Sequence, residues 1–331
     1  MADARRRLLL FVGLVVLCVI GAGVAIVSAT GKEDEVPAGA SAARASLASA
    51  EAADRPVALF RRPQEDGELA VAPLDEPDAP PALSSMKCAR VYFAGGRGLC
   101  MTRGTGFAAG FEAAVFGPDL KITNSIDVEG IPSRARVSDD GRYGAVTLFV
   151  TGHSYADAGQ FSTDTTLIDM ESGEALANLE EFTVTRGGRQ ITAIDVNFWG
   201  VTFAADSDRF YATMATGGKT YLIEGSISAR TARVLHENVE CPSISPDGTR
   251  LAYKSRTGSK SRPWRLTVLD LDTMEETPLA EERSVDDQAE WLDDDNVLYG
   301  IDGDTYVVPA DGSGEPRSFI ADADSAVAVR W

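Results

Sequence analysis

The sequence contains few of the residues on which most catalytic and metal sites depend. Histidine occurs only twice, at His153 and His236, and neither has a second histidine or a cysteine at a metal-ligand spacing. No G-x-S-x-G elbow is present. The glycine clusters at residues 95–98 and 104–106 stand between predicted strands and do not open a helix, as a phosphate-binding loop would. The sequence therefore predicts no cofactor and no metal.

Positive charge is also scarce. The chain has 31 lysine and arginine residues against 50 aspartate and glutamate residues, and its net charge is −19. A surface of this sign repels nucleic acid and anionic lipid headgroups. Nucleic acid is therefore excluded as an expected partner.

The sequence has one long apolar run, at residues 8–28, which carries no charge. Its length matches the roughly 20 residues that a helix needs to cross a bilayer. Arg5, Arg6 and Arg7 precede it, so we expect residues 1–7 to form a basic cytoplasmic tip, residues 8–28 a transmembrane signal anchor, and the rest to lie outside. The alternative is a secreted protein, cleaved near residues 27–29. The run exceeds the usual length of a signal peptide, which favours a retained anchor.

The anchor is followed by a segment that has few large apolar side chains. Residues 29–55 are rich in alanine, serine, glutamate and glycine. Such a segment buries too little apolar surface to fold by itself. We expect it to be a flexible linker that holds the folded domain away from the membrane.

Three cysteines lie outside the anchor, at Cys88, Cys100 and Cys241. In an oxidising compartment a disulfide is expected, and an odd number leaves one free thiol. Cys88 and Cys100 are the local pair, on either side of a glycine-rich turn, and their bond requires an offset strand register. The alternative is that all three are small buried apolar residues.

Helical periodicity is almost absent after residue 28, and a strand–turn–strand unit recurs instead. Copies occupy residues 136–146, 203–212, 243–253 and 291–299. Asp-Gly turns punctuate the clearest copies, since aspartate bonds to backbone N–H groups and glycine accepts positive φ. A spacing of roughly 40–50 residues, with several short strands in each unit, is typical of a β-propeller.

Counting four strands per unit gives five complete repeats and fragments of a sixth. Two strands, at residues 56–62 and 68–74, lack an innermost strand, and residues 328–331 have the pattern of an innermost strand alone. Pairing the two fragments removes exposed strand edges. We therefore predict an all-β fold, a six-bladed β-propeller over residues 56–331, closed by its C-terminal strand.

The repeat resembles the WD40-like repeat of the TolB family, whose units follow the pattern S-P-D-G-x-x-[LI]-A-[YF]. Residues 245–253 match it throughout, residues 138–141 match it loosely, and the closing strand also fits the family. The resemblance covers residues 56–331. It implies an envelope propeller that binds other proteins, similar to the membrane-anchored TolB-like proteins of high-GC Gram-positive bacteria. Residues 29–55 are too few for the N-terminal α/β domain of TolB itself.

The candidate binding surface consists of the innermost strands, which line the central channel of a propeller. Polar residues that alternate there with apolar neighbours are Arg134, Arg136, Ser243, Ser245, Glu290 and Arg330. Arginines in a channel can bind a peptide carboxylate or an anionic glycan. The alternative is that they pair with acidic residues between the blades.

The expected function is that of a membrane-anchored, extracytoplasmic β-propeller, a non-catalytic scaffold that binds an envelope protein or a cell-wall component. One alternative is an envelope hydrolase, glycosidase or peptidase-like, that uses paired channel carboxylates. A sensor of small ligands is a further alternative. The sequence does not select a carboxylate pair among its 50 acidic residues, which favours the scaffold.

Overall fold

Short strands, paired mainly antiparallel, make up more than half of the residues for which structure is described. The computed structural model describes residues 47–104, 110–150 and 162–331. Within these ranges the strands form six separate sheets, each with its strands in order from the channel outwards. The fold is a six-bladed β-propeller, as the repeats predicted.

The first blade closes the ring. Its strands, numbered in chain order and given from the channel outwards, are β26 (Asp324–Val329), β1 (Val57–Arg62), β2 (Glu68–Pro73) and β3 (Ala82–Lys87). Val57 in β1 lies opposite Val329 in β26. The predicted closure by the C-terminal strand is therefore confirmed. The strand ends at Val329, so Arg330 and Trp331 follow it instead of belonging to it.

The second and third blades each consist of four consecutive strands. They are β4 (Arg90–Ala94), β5 (Arg97–Arg103), β6 (Phe111–Phe116), β7 (Ile122–Val128), β8 (Ile131–Val137), β9 (Tyr143–Val150), β10 (Ser162–Asp169) and β11 (Ala175–Asn178).

The fourth blade has an outer hairpin that the sequence pattern did not reveal. Its strands are β14 (Asn197–Phe203), β15 (Arg209–Thr216), β16 (Lys219–Ser226), β17 (Thr231–Glu237), β12 (Thr183–Arg186) and β13 (Arg189–Gln190). The hairpin β12–β13 joins through parallel pairing of β12 with β17. Its strands are too short to show alternation in the sequence.

The fifth and sixth blades return to the four-strand pattern. They consist of β18 (Glu240–Ile244), β19 (Arg250–Arg256), β20 (Trp264–Asp270), β21 (Glu276–Pro278), β22 (Glu290–Trp291), β23 (Asn296–Ile301), β24 (Asp304–Pro309) and β25 (Arg317–Ile320). Two short 3₁₀ turns, Pro63–Glu65 and Leu179–Glu181, connect strands elsewhere in the ring.

The hydrophobic core lies mainly between neighbouring blades. One apolar cluster joins Leu99 and Met101 of the second blade to Val146 and Leu148 of the third. Alternation along each strand places one face against each neighbouring blade. The blades therefore hold each other in place and fix the innermost strands around the channel.

A short helix precedes the first blade. Residues 47–52 are helical, and Leu47 is fully buried in the apolar cluster that contains Val57 and Phe93. The linker predicted for residues 29–55 is thus too long at its C-terminal end, because its composition does not reveal a six-residue helix that is held by the burial of Leu47. No helix in the described part of the chain is long and apolar enough to span a bilayer. The anchor predicted at residues 8–28 lies outside the described residues.

The repeated turn has the same hydrogen bonds in its two clearest copies. In the fifth blade the Ser245 hydroxyl donates to the Asp247 carboxylate over 2.5 Å, and the Arg250 N–H donates to Ser245 over 3.0 Å. In the third blade Ser138 bonds to Asp140 in the same way, over 2.7 Å. The glycine after each aspartate has positive φ. The turn thus fixes the end of an innermost strand against the next strand.

We expect the Asp247→Asn substitution to lower the free energy of unfolding by about 1 kcal/mol at neutral pH. The loss is small because the side chain is exposed and solvent screens its interactions. Burial acts to raise the pKa of Asp247, but bonds from Ser245, Thr249 and Arg250 outweigh it and lower the pKa to about 2. The carboxylate therefore stabilises the fold above the unfolded pKa of about 4, and this contribution is lost as pH falls towards 2. Urea denaturation across this pH range measures the difference.

The control for this experiment is Glu315→Gln, which removes one negative charge at an exposed position. A stability difference between wild type and Asp247→Asn that does not shrink on acidification would contradict the role given to the charged turn.

A disulfide joins the connection between the first and second blades to β5 of the second blade. Cys88 and Cys100 are bonded, with their Cα atoms 5.4 Å apart. Cys100 in β5 lies opposite Val91, so the two cysteines are not directly paired across the hairpin. Cys241 is a free, buried thiol.

Replacing both bonded cysteines with alanine is expected to reduce the free energy of unfolding by about 2–3 kcal/mol, because the bond closes a short loop in the unfolded chain. Reductant should lower the urea midpoint of the wild type. The corresponding loss of unfolding free energy should be similar to that of the double variant. The Cys241→Ala variant should respond to reductant as the wild type does. A wild-type midpoint that is indifferent to complete reduction would contradict this role.

Candidate functional site

A large cavity on the channel lies where the innermost strands end. It has a volume of about 480 Å³ and takes side chains from every blade. Its walls include Tyr92, Arg136, Thr202, Ile244, Trp291 and Ala328, one from each innermost strand or its end. The innermost strands run in the same direction around the ring, so their C-terminal ends meet at this mouth. We call this cavity the channel mouth.

The centre of the channel mouth is a buried ion pair. The Arg136 guanidinium donates to the Glu290 carboxylate over 2.5 Å, across the channel from the third to the sixth blade. The Tyr92 hydroxyl donates to the same carboxylate over 3.1 Å. The guanidinium also lies 4.4 Å from the centre of the Tyr92 ring. Three blades are therefore joined through one carboxylate.

A second set of bonds extends this network into the fifth blade. Arg136 donates to the Ser243 hydroxyl and to the Ala289 carbonyl, each over 3.2 Å. The Trp291 indole N–H donates to the Ser243 carbonyl over 2.9 Å. Ser243 is thus buried and bonded within the network, and it does not face the cavity as a free hydroxyl.

Burial and pairing act in opposite directions on the ionisable groups. Burial raises the pKa of Glu290, and the Arg136 cation limits the rise. Burial also raises the pKa of Tyr92, so its hydroxyl stays protonated and donates. Burial disfavours the Arg136 cation, but Tyr92 and Glu290 outweigh it and raise the pKa. Each charge of the pair therefore compensates the other. Removing one partner would leave a buried charge without compensation, which is costly.

Arg134 lies deeper in the channel than Arg136. It borders a small cavity of about 30 Å³, enough for an ordered water, together with Arg90 and Asp287. Arg134 donates to the Ser133 carbonyl over 2.8 Å, while its Nε has no partner among the described residues. Burial raises the pKa of Asp287, whereas Arg134 and Arg90 act to lower it. Arg134 and Arg90 thus act electrostatically on Asp287 across this small cavity, and no direct ion pair of Arg134 is seen among the described residues.

The remaining two candidates lie at the edge of the channel mouth. Ser245 lines the cavity, but its hydroxyl is bonded to Asp247 in the turn described above. Arg330 is exposed, and it donates to the carbonyls of Leu292 and Ala328. Among the described residues its guanidinium forms no direct ion pair, although its charge acts on Glu290 and Asp139 in the same cavity. Its exposed position leaves it accessible to a ligand.

The structure therefore brings Arg136, Ser243 and Glu290 into one network and places Ser245 and Arg330 beside it. Arg134 belongs to the neighbouring, deeper part of the channel. Sequence reasoning missed Tyr92, Asp139 and Trp331, which also line the cavity. Tyr92 stands two residues after Arg90 on an innermost strand, so the alternation already used for the other blades would have found it.

The two tryptophans that line the channel mouth have different roles. Trp291 is buried, and its indole bonds the sixth blade to Ser243 of the fifth. Trp331 is partly exposed and lines the channel mouth, with its ring centre 5.7 Å from that of Phe93. Its indole N–H donates to the Arg55 carbonyl over 2.9 Å. The C-terminal residues therefore both tie down the N-terminal segment and shape the cavity.

Comparison with known proteins shows the fold. No protein-family model and no curated protein sequence matches the chain. TolB from Acinetobacter baumannii is similar in structure, with a TM-score of 0.50 and 14% identity over 83% of this chain and 66% of that one. A putative TolB from Agrobacterium tumefaciens has a TM-score of 0.50 and 11% identity, over 80% of this chain and 88% of that one.

A chain of the nidogen/laminin complex is also similar, with a TM-score of 0.55 and 10% identity over 83% of this chain and 97% of that one. At these identities the likeness shows architecture alone. The match spans slightly less than two thirds of the Acinetobacter TolB chain. The protein has a TolB-like six-bladed β-propeller fold.

Proposed function

We propose that the protein is a non-catalytic binding scaffold, a TolB-like propeller anchored on the extracytoplasmic side of the membrane of a high-GC Gram-positive bacterium. Its partner is an envelope protein or a cell-wall component. The observation that carries the binding role is the channel mouth, where six blades converge on a cavity with aromatic walls and an unpaired Arg330. Pockets with apolar walls and a few oriented polar groups are typical of ligand sites.

The bonding of the polar groups favours binding over catalysis. Glu290 is held by Arg136 and Tyr92, and Ser245 by Asp247. A general acid or a nucleophile must exchange protons with a substrate, which these bonds hinder. Rigid walls with one free cation at the rim instead suit a carboxylate or another anionic group of a partner.

A photo-activated cross-linker at position 330, introduced into the full-length chain in intact cells, tests the binding role. Position 317 on the outer strand β25 is the matched control, since Arg317 is also an exposed arginine. We expect a discrete adduct from position 330 that is absent from position 317. An identical pattern from both positions, or no adduct from either, would refute binding at the channel mouth.

One observation favours a hydrolase as the second candidate. Two acidic side chains in the channel mouth, Glu290 and Asp139, both have a pKa raised by burial, and paired carboxyls of this kind serve as catalytic acids in glycosidases. A screen of glycoside and peptide substrates tests it. Hydrolysis that is lost in Glu290→Gln or Asp139→Asn protein would replace the scaffold proposal.

The anchor is supported by the uncharged run at residues 8–28 and the arginines before it. A C-terminal alkaline phosphatase fusion of the full chain should be active only if the propeller is exported. The double substitution Leu14→Arg and Leu17→Arg should abolish this activity, because charges within the bilayer oppose insertion. The mass of the mature N-terminus then separates a retained anchor from a cleaved signal. An active fusion in the double variant would argue against the anchor.

A further inference from the structure

A strongly basic loop interrupts the acidic surface on the side of the ring opposite the channel mouth. Residues 254–265 contain five cations, Lys254, Arg256, Lys260, Arg262 and Arg265, and no acidic residue. These residues span the end of β19, the loop at residues 257–263 and the start of β20. Because β19 runs antiparallel to the innermost strand β18, the loop emerges at the face where the innermost strands begin. It is separate from the proposed binding site.

Two of the cations form the base of the loop. Lys254 pairs with Asp286, and Arg256 pairs with Glu240 over 2.7 Å. Both cations also lie within 5.0 Å of the centre of the Trp264 ring, at 4.7 and 5.0 Å. Their charges are compensated, and their contacts fix the indole at the start of β20.

The other three cations are not compensated. Within the residues that the structure describes, Lys260, Arg262 and Arg265 make no ion pair with a carboxylate. The Arg265 guanidinium donates to the Leu279 carbonyl over 3.1 Å, which orients it without neutralising it. In a protein with a net charge of −19, a local group of unpaired cations marks a surface for an anionic ligand.

The loop is also held in one shape by its own hydrogen bonds. The Thr257 N–H donates to the Pro263 carbonyl over 3.0 Å, and the Ser259 N–H donates to the Thr257 hydroxyl over 3.1 Å. Gly258 supplies the positive φ that the turn requires. Pre-ordering reduces the entropy lost when a ligand binds.

These residues enclose a cavity of about 260 Å³. Its walls are Thr257, Ser259, Arg262, Trp264, Arg265 and Glu282. Two guanidinium groups match the oxygens of a phosphate. The Ser259 hydroxyl can also donate to it, whereas the Thr257 hydroxyl donates to the Arg262 carbonyl and shapes the loop. The volume exceeds what an isolated phosphate requires, and Glu282 supplies an acceptor for a ligand hydroxyl.

We propose that this cavity binds a phosphate group carried on a polyol, as in a sugar phosphate or a glycerol phosphate unit. Arg262 and Arg265 hold the phosphate, while Glu282 and the Trp264 ring contact the polyol. The net charge of −19 disfavours dense polyanions such as nucleic acid or a bilayer of anionic lipid. The source is either a free metabolite or one unit of a phosphate-containing polymer, and the binding experiment distinguishes the two.

Isothermal titration of the full-length protein with glucose 1-phosphate, inorganic phosphate and glucose tests the site. We expect saturable binding of glucose 1-phosphate, weaker binding of inorganic phosphate and none of glucose. The double variant Arg262→Gln, Arg265→Gln should weaken binding roughly tenfold or more, since each charged hydrogen bond contributes more than a neutral one. The matched control, Arg189→Gln with Arg317→Gln, removes the same charge at exposed sites elsewhere and should bind as wild type.

The single variant Arg262→Gln is included because it should fold normally. No bond of the Arg262 side chain to the rest of the described chain is seen. A synthetic glycerol phosphate oligomer that binds much more tightly than glucose 1-phosphate indicates a polymer, and equal affinity per unit indicates a free metabolite. Equal affinity of wild type and both loop variants, or no saturable binding of any phosphate probe, would overturn the proposal. Heparin or phosphatidylglycerol vesicles binding as well as the sugar phosphate would also overturn it.

Discussion

The Val329→Asp variant is expected to lose at least about 4 kcal/mol of stability, because it places a charge in an apolar core and removes a packed side chain. Val329 is 1% exposed and lies opposite Val57 in the blade that closes the ring. Its neighbours in the same apolar cluster include Leu47, from the short helix at residues 47–52, and Phe93, from the second blade. One substitution therefore disturbs the closing strand, the helix and the adjacent blade. Urea denaturation followed by circular dichroism measures the loss.

Ala321→Asp is the matched control, because it introduces the same charge at an exposed position just before β26. We expect it to change stability by less than about 0.5 kcal/mol. If both variants unfold at the wild-type urea concentration, the closing strand does not contribute to the core as the structure indicates.

The Arg136→Met substitution should destabilise the protein by about 3–5 kcal/mol, since it leaves the Glu290 carboxylate buried without its cation. The side chains of the pair are 6% and 13% exposed, and their atoms are 2.5 Å apart. The double variant Arg136→Met, Glu290→Leu should recover much of this loss, because apolar side chains of similar size satisfy a buried site. A double-mutant cycle measured by urea denaturation gives the coupling free energy directly.

The exposed pair of Lys87 and Asp66 is the control for the cycle. Its side chains are 54% and 88% exposed, at a distance of 3.1 Å. Its coupling should not exceed about 1 kcal/mol, as is usual for exposed pairs. A coupling at Arg136 and Glu290 as small as this would show that the channel network does not join the blades energetically.

Much of the architecture could be predicted because propeller strands carry their own signals. Alternating apolar residues and a repeated Ser-x-Asp-Gly turn mark a blade, and the turn at Asp247 shows why: its side chain bonds to the chain that follows it. Closure could be predicted because two incomplete blades at opposite ends of the sequence fit together. The blade signals are local, and the two incomplete blades leave one way to close the ring.

The site was harder to predict because its chemistry arises between blades. Arg136 and Glu290 are far apart in sequence, and the sequence does not show that one carboxylate, out of 50, meets one guanidinium. Likewise, Ser245 was a candidate for the channel surface and does line the cavity, but its hydroxyl is bonded within its own turn. Residues 47–52 were missed because the burial of Leu47 depends on a groove formed by the first and second blades.

The most direct test of the closed ring is hydrogen exchange of the backbone amides, measured by mass spectrometry on the full-length protein. The central claim is that β26 completes the blade begun by β1. We therefore expect the amides in residues 324–329 to exchange as slowly as those of β1, and both strands to become exposed together in denaturant. Exchange of residues 324–329 at the rate of an unstructured chain, while the other blades stay protected, would contradict the account.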